Sequence, residues 1–452
     1  MTILDFIAFI LYTVLFSYFF ARSRKKIETP ELRHYHKIAF WAKVVACFSY
    51  AIFVQHITKG DTTTLYFPEG YNLYKRVLQN PSEISLLFGP GTDIDPNIIT
   101  RSWMIGYFRD DSNFMVIRLT ALLCFISFGK YMVVNLFFAM IAFSGIWKLF
   151  LFFHKQYPTL HRQFAFAILY LPTFTFWSSG ILKDSLAIAA LGWFTYCSYR
   201  LFVEKKYMLV NTIAIIICIY VFSVVKVYIL VAYLPAFAIF LLLKNAMMMQ
   251  NVVAKFFLVV AFIIGSVLGF NAALSQMQEA LVEFAGDDLT EGIMDRQDNF
   301  MRQSKNEGSY FSLGVAFEPT PMGLVKVAPA AIVATLFRPF LWESRNISTL
   351  LSSFESMALV VLTLFVFFKV GVKKFFSYIF NKPIVLYCLF FSLVFAIFVG
   401  ATTLNFGTLV RYKIPCMPFY VIAMVLILYF YKRDKLATPV TENTAGEQAS
   451  AA

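Results

Sequence analysis

Charged side chains are scarce in this 452-residue chain, because Asp, Glu, Lys and Arg together make up only 14% of it. Soluble domains carry about 25% charged residues. Hydrophobic residues supply 59% of the chain, and phenylalanine alone contributes 53 residues. A water-soluble globule of this size could not bury so much apolar surface. The composition therefore excludes a soluble enzyme, a disulfide-stapled secreted domain and a disordered regulator, and it predicts a polytopic membrane protein.

Motifs for metals, disulfides and nucleotides are lacking as well. The six cysteines lie in apolar runs without Cys-x-x-Cys spacing, the five histidines lack metal-ligand spacing, and no Gly-x-x-x-x-Gly-Lys-Ser/Thr motif occurs. These absences argue against a zinc site, a disulfide framework and an ATP-binding P-loop. No cofactor and no metal ligand set is predicted; a divalent cation is chemically conceivable but not indicated by the residues.

Basic residues outnumber acidic ones, 39 against 26, and they occur in short clusters between the apolar runs. This is the positive-inside pattern of membrane proteins rather than the basic surface of a nucleic-acid-binding protein. We therefore expect no nucleic-acid partner, and we expect every basic cluster on the cytoplasmic side. The clusters lie at 21–37, 154–163, 200–206, 244–255, 369–382 and 432–435.

The apolar runs predict an all-α fold with about eleven transmembrane helices. Each run approaches the ~20 residues that cross the hydrocarbon core. The runs are 3–20, 38–57, 131–153, 164–178, 181–202, 207–222, 226–243, 255–274, 350–368, 383–402 and 412–431. Because acidic Asp5 stands at the start of the first run and basic residues follow it, we interpret this run as a retained span. The N-terminus is then outside and the C-terminus cytoplasmic.

Two further apolar runs, 113–128 and 323–337, are predicted to be re-entrant or interfacial helices. All basic clusters fall on one side only if neither run completes a crossing. We interpret residues 1–436 as a single membrane domain with two long outer loops, 58–112 and 275–322. A Thr-, Ala- and Glu-rich cytoplasmic tail, 437–452, has the composition of a disordered segment.

Ionisable residues at the ends of spans stand out, because each costs free energy near the membrane and needs a partner there. With the predicted topology they gather at the outer face. Asp61 follows the second span, Lys183 and Asp184 begin another, Lys226 separates two runs, and Arg411 opens the last run. The motif RPFLWE adds the side chains of Arg338, Trp342 and Glu343 at this face. Tyr228 and Tyr412, which follow Lys226 and Arg411 in the chain, lie there as well.

Several cations at one depth suit the phosphate or diphosphate of a polyprenyl-linked sugar. Arginine can bind phosphate oxygens in a bidentate manner, and lysine acts as a point charge. The predicted phosphate-binding residues are Lys183, Lys226, Arg338 and Arg411, and the predicted catalytic carboxylates are Asp61 and Glu343. Of these two, Asp61 is the first choice to deprotonate an attacking sugar hydroxyl. Other parts of the substrate are assigned to Tyr228, Trp342 and Tyr412, and the spans would supply an apolar groove for the lipid.

Each of these assignments has a purely structural alternative. Gly-Asp-Thr around Asp61 is also a good turn sequence, and Lys183 could pair locally with Asp184. A pair between the arginine and the glutamate of RPFLWE could simply fix the interfacial helix. The Arg411 side chain could snorkel to the membrane surface, and tryptophans commonly anchor membrane interfaces.

The chain resembles the multi-pass envelope-glycan proteins of bacteria. These are the glycosyltransferases of the GT-C architecture and the O-antigen and exopolysaccharide polymerases. Three features carry the resemblance: Gly60-Asp61 soon after an early span, the segment LPTFTFWSSGILKD ending at Asp184, and the motifs RPFLWE and RYKIP around Arg338 and Arg411. A second acid near Asp61, often present in GT-C enzymes, is missing, which favours the polymerase-like version.

The resemblance implies a glycosyltransferase or polysaccharide polymerase at the outer face of the bacterial inner membrane. Its partners would be a polyprenyl-linked sugar or oligosaccharide, an acceptor glycan, membrane lipid and other envelope-biosynthesis proteins. A flippase or exporter of lipid-linked glycan is the rival interpretation, and it requires ionisable residues at several depths. A non-catalytic scaffold subunit of an envelope assembly is the third, and it needs no clustered cations.

Overall fold

The computed structural model describes residues 1–58, 60–101, 104–248, 310–315, 321–345 and 347–437. Within these ranges the chain is helical and contains no β-strand, although one isolated bridge joins Tyr310 to Asn405. The predicted all-α class is therefore confirmed. The predicted span 255–274, most of the outer loop 275–322 and the tail beyond residue 437 lie outside the described residues.

Helices follow one another along the chain with short connections. In chain order the α-helices are α1 (Ile3–Lys25), α2 (Pro30–Phe53), α3 (Phe67–Gln79), α4 (Ile105–Arg109), α5 (Asp111–Ser127), α6 (Tyr131–Gln156), α7 (His161–Phe164), α8 (Pro172–Trp177), α9 (Lys183–Phe202), α10 (Met208–Val225), α11 (Val227–Met248), α12 (Pro321–Phe337), α13 (Ile347–Val370), α14 (Val372–Asn381), α15 (Pro383–Thr402), α16 (Phe406–Tyr412) and α17 (Met417–Ala437). Wider π-helical turns form at Val54–Thr58, Thr62–Tyr66 and Ala165–Tyr170. Short 3₁₀ turns form at Pro81–Leu87, Gly91–Asp93, Pro96–Ile98, Pro158–Leu160 and Leu341–Glu343.

Among the described residues, seven helices are long and apolar enough to cross a membrane. They are α1, α2, α6, α10, α11, α13 and α15, and each coincides with a predicted run. An eighth span results if α16 and α17, which are bent by 62° relative to each other, count as one. A polytopic membrane protein is thus confirmed, whereas the count of eleven spans stays a prediction.

The predicted span 164–178 is not a single helix, since it is divided among α7, a π-helical turn and α8, which begins with a proline. At one end the Tyr35 hydroxyl and His161 Nδ1 are hydrogen-bonded at 2.8 Å. At the other end the Tyr50 ring packs directly on Gly180. Tyr35 and Tyr50 are fifteen residues apart on α2, about 22 Å at the rise of an α-helix. The interrupted segment therefore follows α2 through most of a ~30 Å hydrocarbon core.

Two helices, α5 and α12, correspond to the runs predicted to be re-entrant or interfacial, and this placement stays a prediction. The N-cap of α5 is 3.7 Å from the Lys183 ammonium at the start of α9, and α6 begins four residues after α5 ends. Thr335 of α12 donates to the carbonyl of Ala396, and Ala331 packs on Gly400. Both of these contacts lie in the last seven residues of α15.

Close packing of α6 against α9 fixes the start of α9, where several predicted site residues lie. A Cβ atom on Gly145 would be 2.2 Å from the carbonyl oxygen of Ala189, and one on Gly192 would be 1.8 Å from that of Gly145. Small residues at such a crossing let two helix backbones approach closely, as is common within membranes. The position of Lys183 therefore depends on a rigid helix pair.

Candidate functional site

Four distant segments of the chain meet at one end of the bundle and bring five ionisable residues together. The turn after α2 contributes Asp61, the start of α9 contributes Lys183 and Asp184, the end of α10 contributes Lys226, and α16 contributes Arg411. We call these five residues the Arg411 cluster. The helix ends that carry them are those predicted to face outside.

The carboxylate of Asp184 lies at the centre of the cluster and is fully buried. Its Oδ1 accepts a hydrogen bond from Lys226 Nζ at 2.5 Å, and its Oδ2 accepts one from Arg411 Nε at 2.6 Å. A buried charge is stable only when opposite charges and hydrogen bonds replace the lost water. Asp184 meets this condition with two cations from two other helices, and it therefore fixes both of them in place.

Arg411 also reaches a second, exposed carboxylate. Its Nη1 donates to Asp61 Oδ2 at 2.9 Å, and the Asp61 side chain is 52% exposed, against 15% for Arg411. One guanidinium therefore bridges a buried carboxylate and a solvent-facing one. Exposed ion pairs contribute little free energy, about 0–1 kcal/mol. The contact with Asp61 is accordingly the one that a competing anion can replace most easily.

Lys183 lies on the side of the cluster that faces α5. Its Nζ donates to Ser112 Oγ at 2.5 Å and is 3.7 Å from Asp110 Oδ2. Asp110 also caps α5 by accepting from the Ser112 amide at 2.8 Å. With Asp110 included, three cations face three carboxylates, so this part of the molecule is formally neutral.

Aromatic rings cover the lysine side of the cluster. Lys226 Nζ is 4.5 Å from the centroid of the Tyr412 ring and 5.8 Å from that of Tyr228. Tyr412 also lies beside Arg411, at 5.9 Å, and Tyr228 stacks on Phe395. Contacts between a cation and the face of an aromatic ring stabilise the charge without neutralising it. The two tyrosines therefore support the cations and present hydroxyl groups nearby.

Buried hydrogen bonds tie the Asp61 turn to the segment before α9. Thr62 Oγ1 donates to the carbonyl of Ile181 at 2.9 Å, and the hydroxyls of Tyr50 and Thr62 are 2.8 Å apart. The amide of Ile181 in turn donates to Asn135 Oδ1 at 3.1 Å. These contacts hold the turn that carries Asp61 against the start of α9.

The RPFLWE motif forms a separate pair next to the cluster. Arg338 Nε is 3.0 and 3.1 Å from the two carboxylate oxygens of Glu343, and Arg338 Nη2 donates to Glu343 as well. Arg338 Nη1 donates to the Ser312 carbonyl at 3.0 Å, and the guanidinium lies 4.5 Å from the Phe311 ring. Arg338 and Glu343 therefore form the local ion pair that the sequence offered as the structural alternative to a functional role. Trp342 beside it is 76% exposed.

Lys413 connects the RPFLWE pair to the Arg411 cluster, and sequence reasoning named it only as part of the RYKIP motif. Its fully buried Nζ donates to the Arg338 carbonyl at 3.0 Å and to Ser356 Oγ at 2.9 Å. Among the described residues, the Arg338 side chain bonds to Glu343 and Ser312 and to no side chain of the Arg411 cluster. Sequence reasoning also missed the central position of Asp184, which was considered only as a local partner of Lys183. Lys413 and Asp184 could have been found in the sequence, because each is a charged residue next to an apolar run.

The described residues contain no group of three His, Cys, Asp or Glu side chains that could hold a metal ion. The Arg411 cluster offers the chemistry of its own side chains. It can bind an anion through Arg411, neutralise charge through two lysines, and take up a proton on the exposed carboxylate.

No family model, no curated protein and no solved structure matches this chain. Function is consequently inferred from the residues of the site and their geometry, because an all-helical membrane fold is compatible with many activities.

Proposed function

We propose that this protein is a membrane-embedded glycosyltransferase or polysaccharide polymerase of the bacterial inner membrane. It would transfer a sugar or oligosaccharide from a polyprenyl phosphate or diphosphate to a hydroxyl of an acceptor glycan at the outer face. The observation that supports this proposal is the placement of Arg411 between buried Asp184 and exposed Asp61, with two lysines beside it.

In this proposal the donor phosphate replaces Asp61 on Arg411. Counted together with Asp110 the cluster is formally neutral, so an anion gains most from it by displacing one of these carboxylates. Asp184 is buried and bound twice, whereas the Asp61 contact is exposed. Phosphate oxygens would take the Nη side of the guanidinium while Asp184 holds its Nε. The lysines would then stabilise the charge that develops on the leaving phosphate in a water-poor site.

Asp61, once displaced, lies beside the bound phosphate and can act as the general base. The acceptor hydroxyl gives its proton to the Asp61 carboxylate, and its oxygen forms the new glycosidic bond. The bond between the sugar carbon and the phosphate oxygen breaks, and its electron pair leaves on the carrier phosphate. Glu343 and Trp342 have secondary roles in this scheme, because the carboxylate of Glu343 is already hydrogen-bonded to Arg338.

The test is to replace Arg411 by alanine in host cells with normal protein level, with Arg411→Lys as the matched variant. We expect a shortened or missing surface glycan and carrier-linked precursor accumulating on the outer side, because the leaving phosphate loses its main partner. Arg411→Lys keeps the charge but not the bidentate geometry, so a partial defect is expected. An unchanged glycan ladder and lipid-linked pool for Arg411→Ala would reject the transferase and favour the scaffold.

Transport of the same lipid-linked glycan is the second candidate, and one observation favours it. Lys43 is buried in the middle of α2, seven residues before Tyr50, and donates to Ser178 Oγ at 2.6 Å and to the Thr175 carbonyl at 3.2 Å. Ionisable residues at a second depth are typical of transport pathways. Precursor accumulating on the inner side in the same Arg411→Ala cells would identify a flippase.

A further inference from the structure

A large apolar cavity lies between α2, α8 and α13, on the membrane-spanning part of the bundle. Its volume is about 1010 Å³, within the upper range of small-molecule sites in proteins. Small residues of α2, such as Ala42 and Ala46, form one wall. Phe176 of α8 and Leu351 and Ala358 of α13 form the others. We call this cavity the α2 groove.

A polar contact fixes the width of the α2 groove. The amide of Thr173, at the start of α8, donates to Glu355 Oε2 of α13 at 2.9 Å, and the Thr173 hydroxyl donates to the other carboxylate oxygen. The carboxylate in the wall is thus engaged by the opposite wall. Two walls joined in this way give a groove that exists before any ligand binds, which lowers the cost of binding.

One end of the α2 groove is close in the chain to the Arg411 cluster. Ile57, a groove residue in the π-helical turn that follows α2, is four residues before Asp61, and Trp177 is six residues before Lys183. Both connections belong to the hydrogen-bonded turns that hold the cluster together. A molecule with an anionic head at Arg411 and an apolar chain could therefore occupy the cluster and the groove at once.

The length of the α2 groove indicates which kind of chain fits it. Its wall on α2 and the following π-helical turn runs from Ala42 to Ile57, which are fifteen residues apart, or about 22 Å at the rise of an α-helix. The hydrocarbon core is about 30 Å thick, so one leaflet accounts for about 15 Å. An acyl chain of an ordinary phospholipid ends near the mid-plane, whereas a chain that fills this groove passes beyond it.

We propose that the α2 groove binds the polyprenyl tail of the lipid carrier, with the phosphate of that lipid at Arg411. This inference rests on the proposed function, since it assigns the tail of the same donor. The single long isoprenoid chain, rather than a pair of acyl chains, is the ligand that the groove selects. Ala46 and Ala358, on opposite walls, are the positions where a larger side chain blocks it.

The test measures binding of undecaprenyl phosphate, geranyl phosphate, whose ten-carbon chain is too short to pass the mid-plane, and phosphatidic acid to the purified full chain in detergent, as ligand-induced increases in Tm. A ligand that binds only the folded state raises its stability in proportion to the logarithm of its concentration over Kd. We expect undecaprenyl phosphate to bind at least tenfold more tightly than the two other lipids. Ala46→Trp and Ala358→Trp should each abolish this preference. Val14→Trp, at a position of α1 that is 61% exposed and outside the groove, should leave it unchanged.

Equal binding of the two prenyl phosphates, or equal binding of phosphatidic acid, would overturn the inference. So would an undiminished preference in both tryptophan variants at opposite walls. These outcomes are distinct from failure of the proposed function. If Arg411→Ala cells make normal glycan while the purified chain still prefers the long chain, the groove stands and the transferase does not.

Discussion

Two arginines next to the same end of the bundle are partnered in opposite ways. Arg338 pairs with Glu343, five residues further along the chain, and the same carboxylate also accepts from the amide of Phe340 at 2.9 Å. Arg411 instead pairs with Asp184, 227 residues away, and with Asp61, 350 residues away. The first pair is closed within one turn of chain, whereas the second depends on three separate segments of the fold.

This difference separates a pair that shapes a loop from one that can exchange partners. The fork between Arg338 and Glu343 uses both carboxylate oxygens, so a ligand would have to break several bonds to reach the guanidinium. In the Arg411 cluster one carboxylate is buried and permanent, and the other is half exposed. An arginine with one permanent and one replaceable partner is organised for binding an anion, which is why we place the chemistry there.

Removal of the Asp184 charge should produce the largest effect on stability. In Asp184→Asn, the buried cations of Lys226 and Arg411 lose their central carboxylate, and breaking such a buried pair costs about 3–5 kcal/mol. The free energy of unfolding, measured by denaturant titration in detergent, should fall by that amount. Asp61→Asn is the control, since its exposed contact is worth about 0–1 kcal/mol. Equal losses for the two variants would contradict the distinction between a permanent and a replaceable carboxylate.

A smaller effect is expected from Glu343→Gln. The amide keeps the shape of the carboxylate but loses the charge-assisted bonds from Arg338. A hydrogen bond to a charged group contributes about 1.5–3 kcal/mol to stability. Stability should drop within that range in the same denaturant titration. Surface glycan made by cells with this variant should stay close to wild type, because the pair only shapes its loop. A glycan defect as severe as that of Arg411→Ala would instead place Glu343 in the catalytic machinery.

The sequence was sufficient to predict the membrane class and the positions of most spans, because crossing a bilayer requires a local run of apolar residues. It did not predict the interruption of the span 164–178. That run contains a proline but is otherwise apolar, and its π-helical turn and α8 form against α2 and Glu355. Such contacts join residues far apart in the chain, and hydropathy carries no information about them.

Membership of the site was also predictable in part, but its pairing was not. A charge at the end of a span is conspicuous because its burial is costly, and this singled out Asp61, Lys183, Lys226 and Arg411. Which carboxylate would serve which cation depends on how the helices pack. From the sequence, Lys183 was the expected partner of Asp184 because the two are adjacent in the chain. In the structure the partners of Asp184 are Lys226 and Arg411. Only the short RPFLWE pair could be anticipated from spacing.

The smallest effect should come from changing a third arginine–carboxylate pair, Arg76 and Glu83. This pair joins α3 to the 3₁₀ turn that follows it. Arg76 Nε and Nη2 donate to the two oxygens of Glu83 at 2.8 and 3.1 Å, and these bonds hold the pKa of the Glu83 carboxyl below its ordinary value. A lowered pKa in the folded state means that the pair stabilises the fold above the ordinary pKa of glutamate, about 4.3. That stabilisation is lost as the pH falls through the lowered value.

Glu83→Gln should therefore change Tm only slightly at neutral pH and should make Tm less sensitive to acid as the pH falls below the ordinary pKa of glutamate, about 4.3. Thermal unfolding across this range, with wild type and Glu343→Gln measured in parallel, provides the comparison. The carboxylates of the three pairs differ in burial, since the side chain is 25% exposed in Glu83, 18% in Glu343 and 0% in Asp184. If Glu83→Gln lowers Tm at neutral pH as much as Asp184→Asn does, burial does not govern the strength of these pairs. Burial would then not explain why Asp184 stays bound to Lys226 and Arg411 when an anion displaces Asp61.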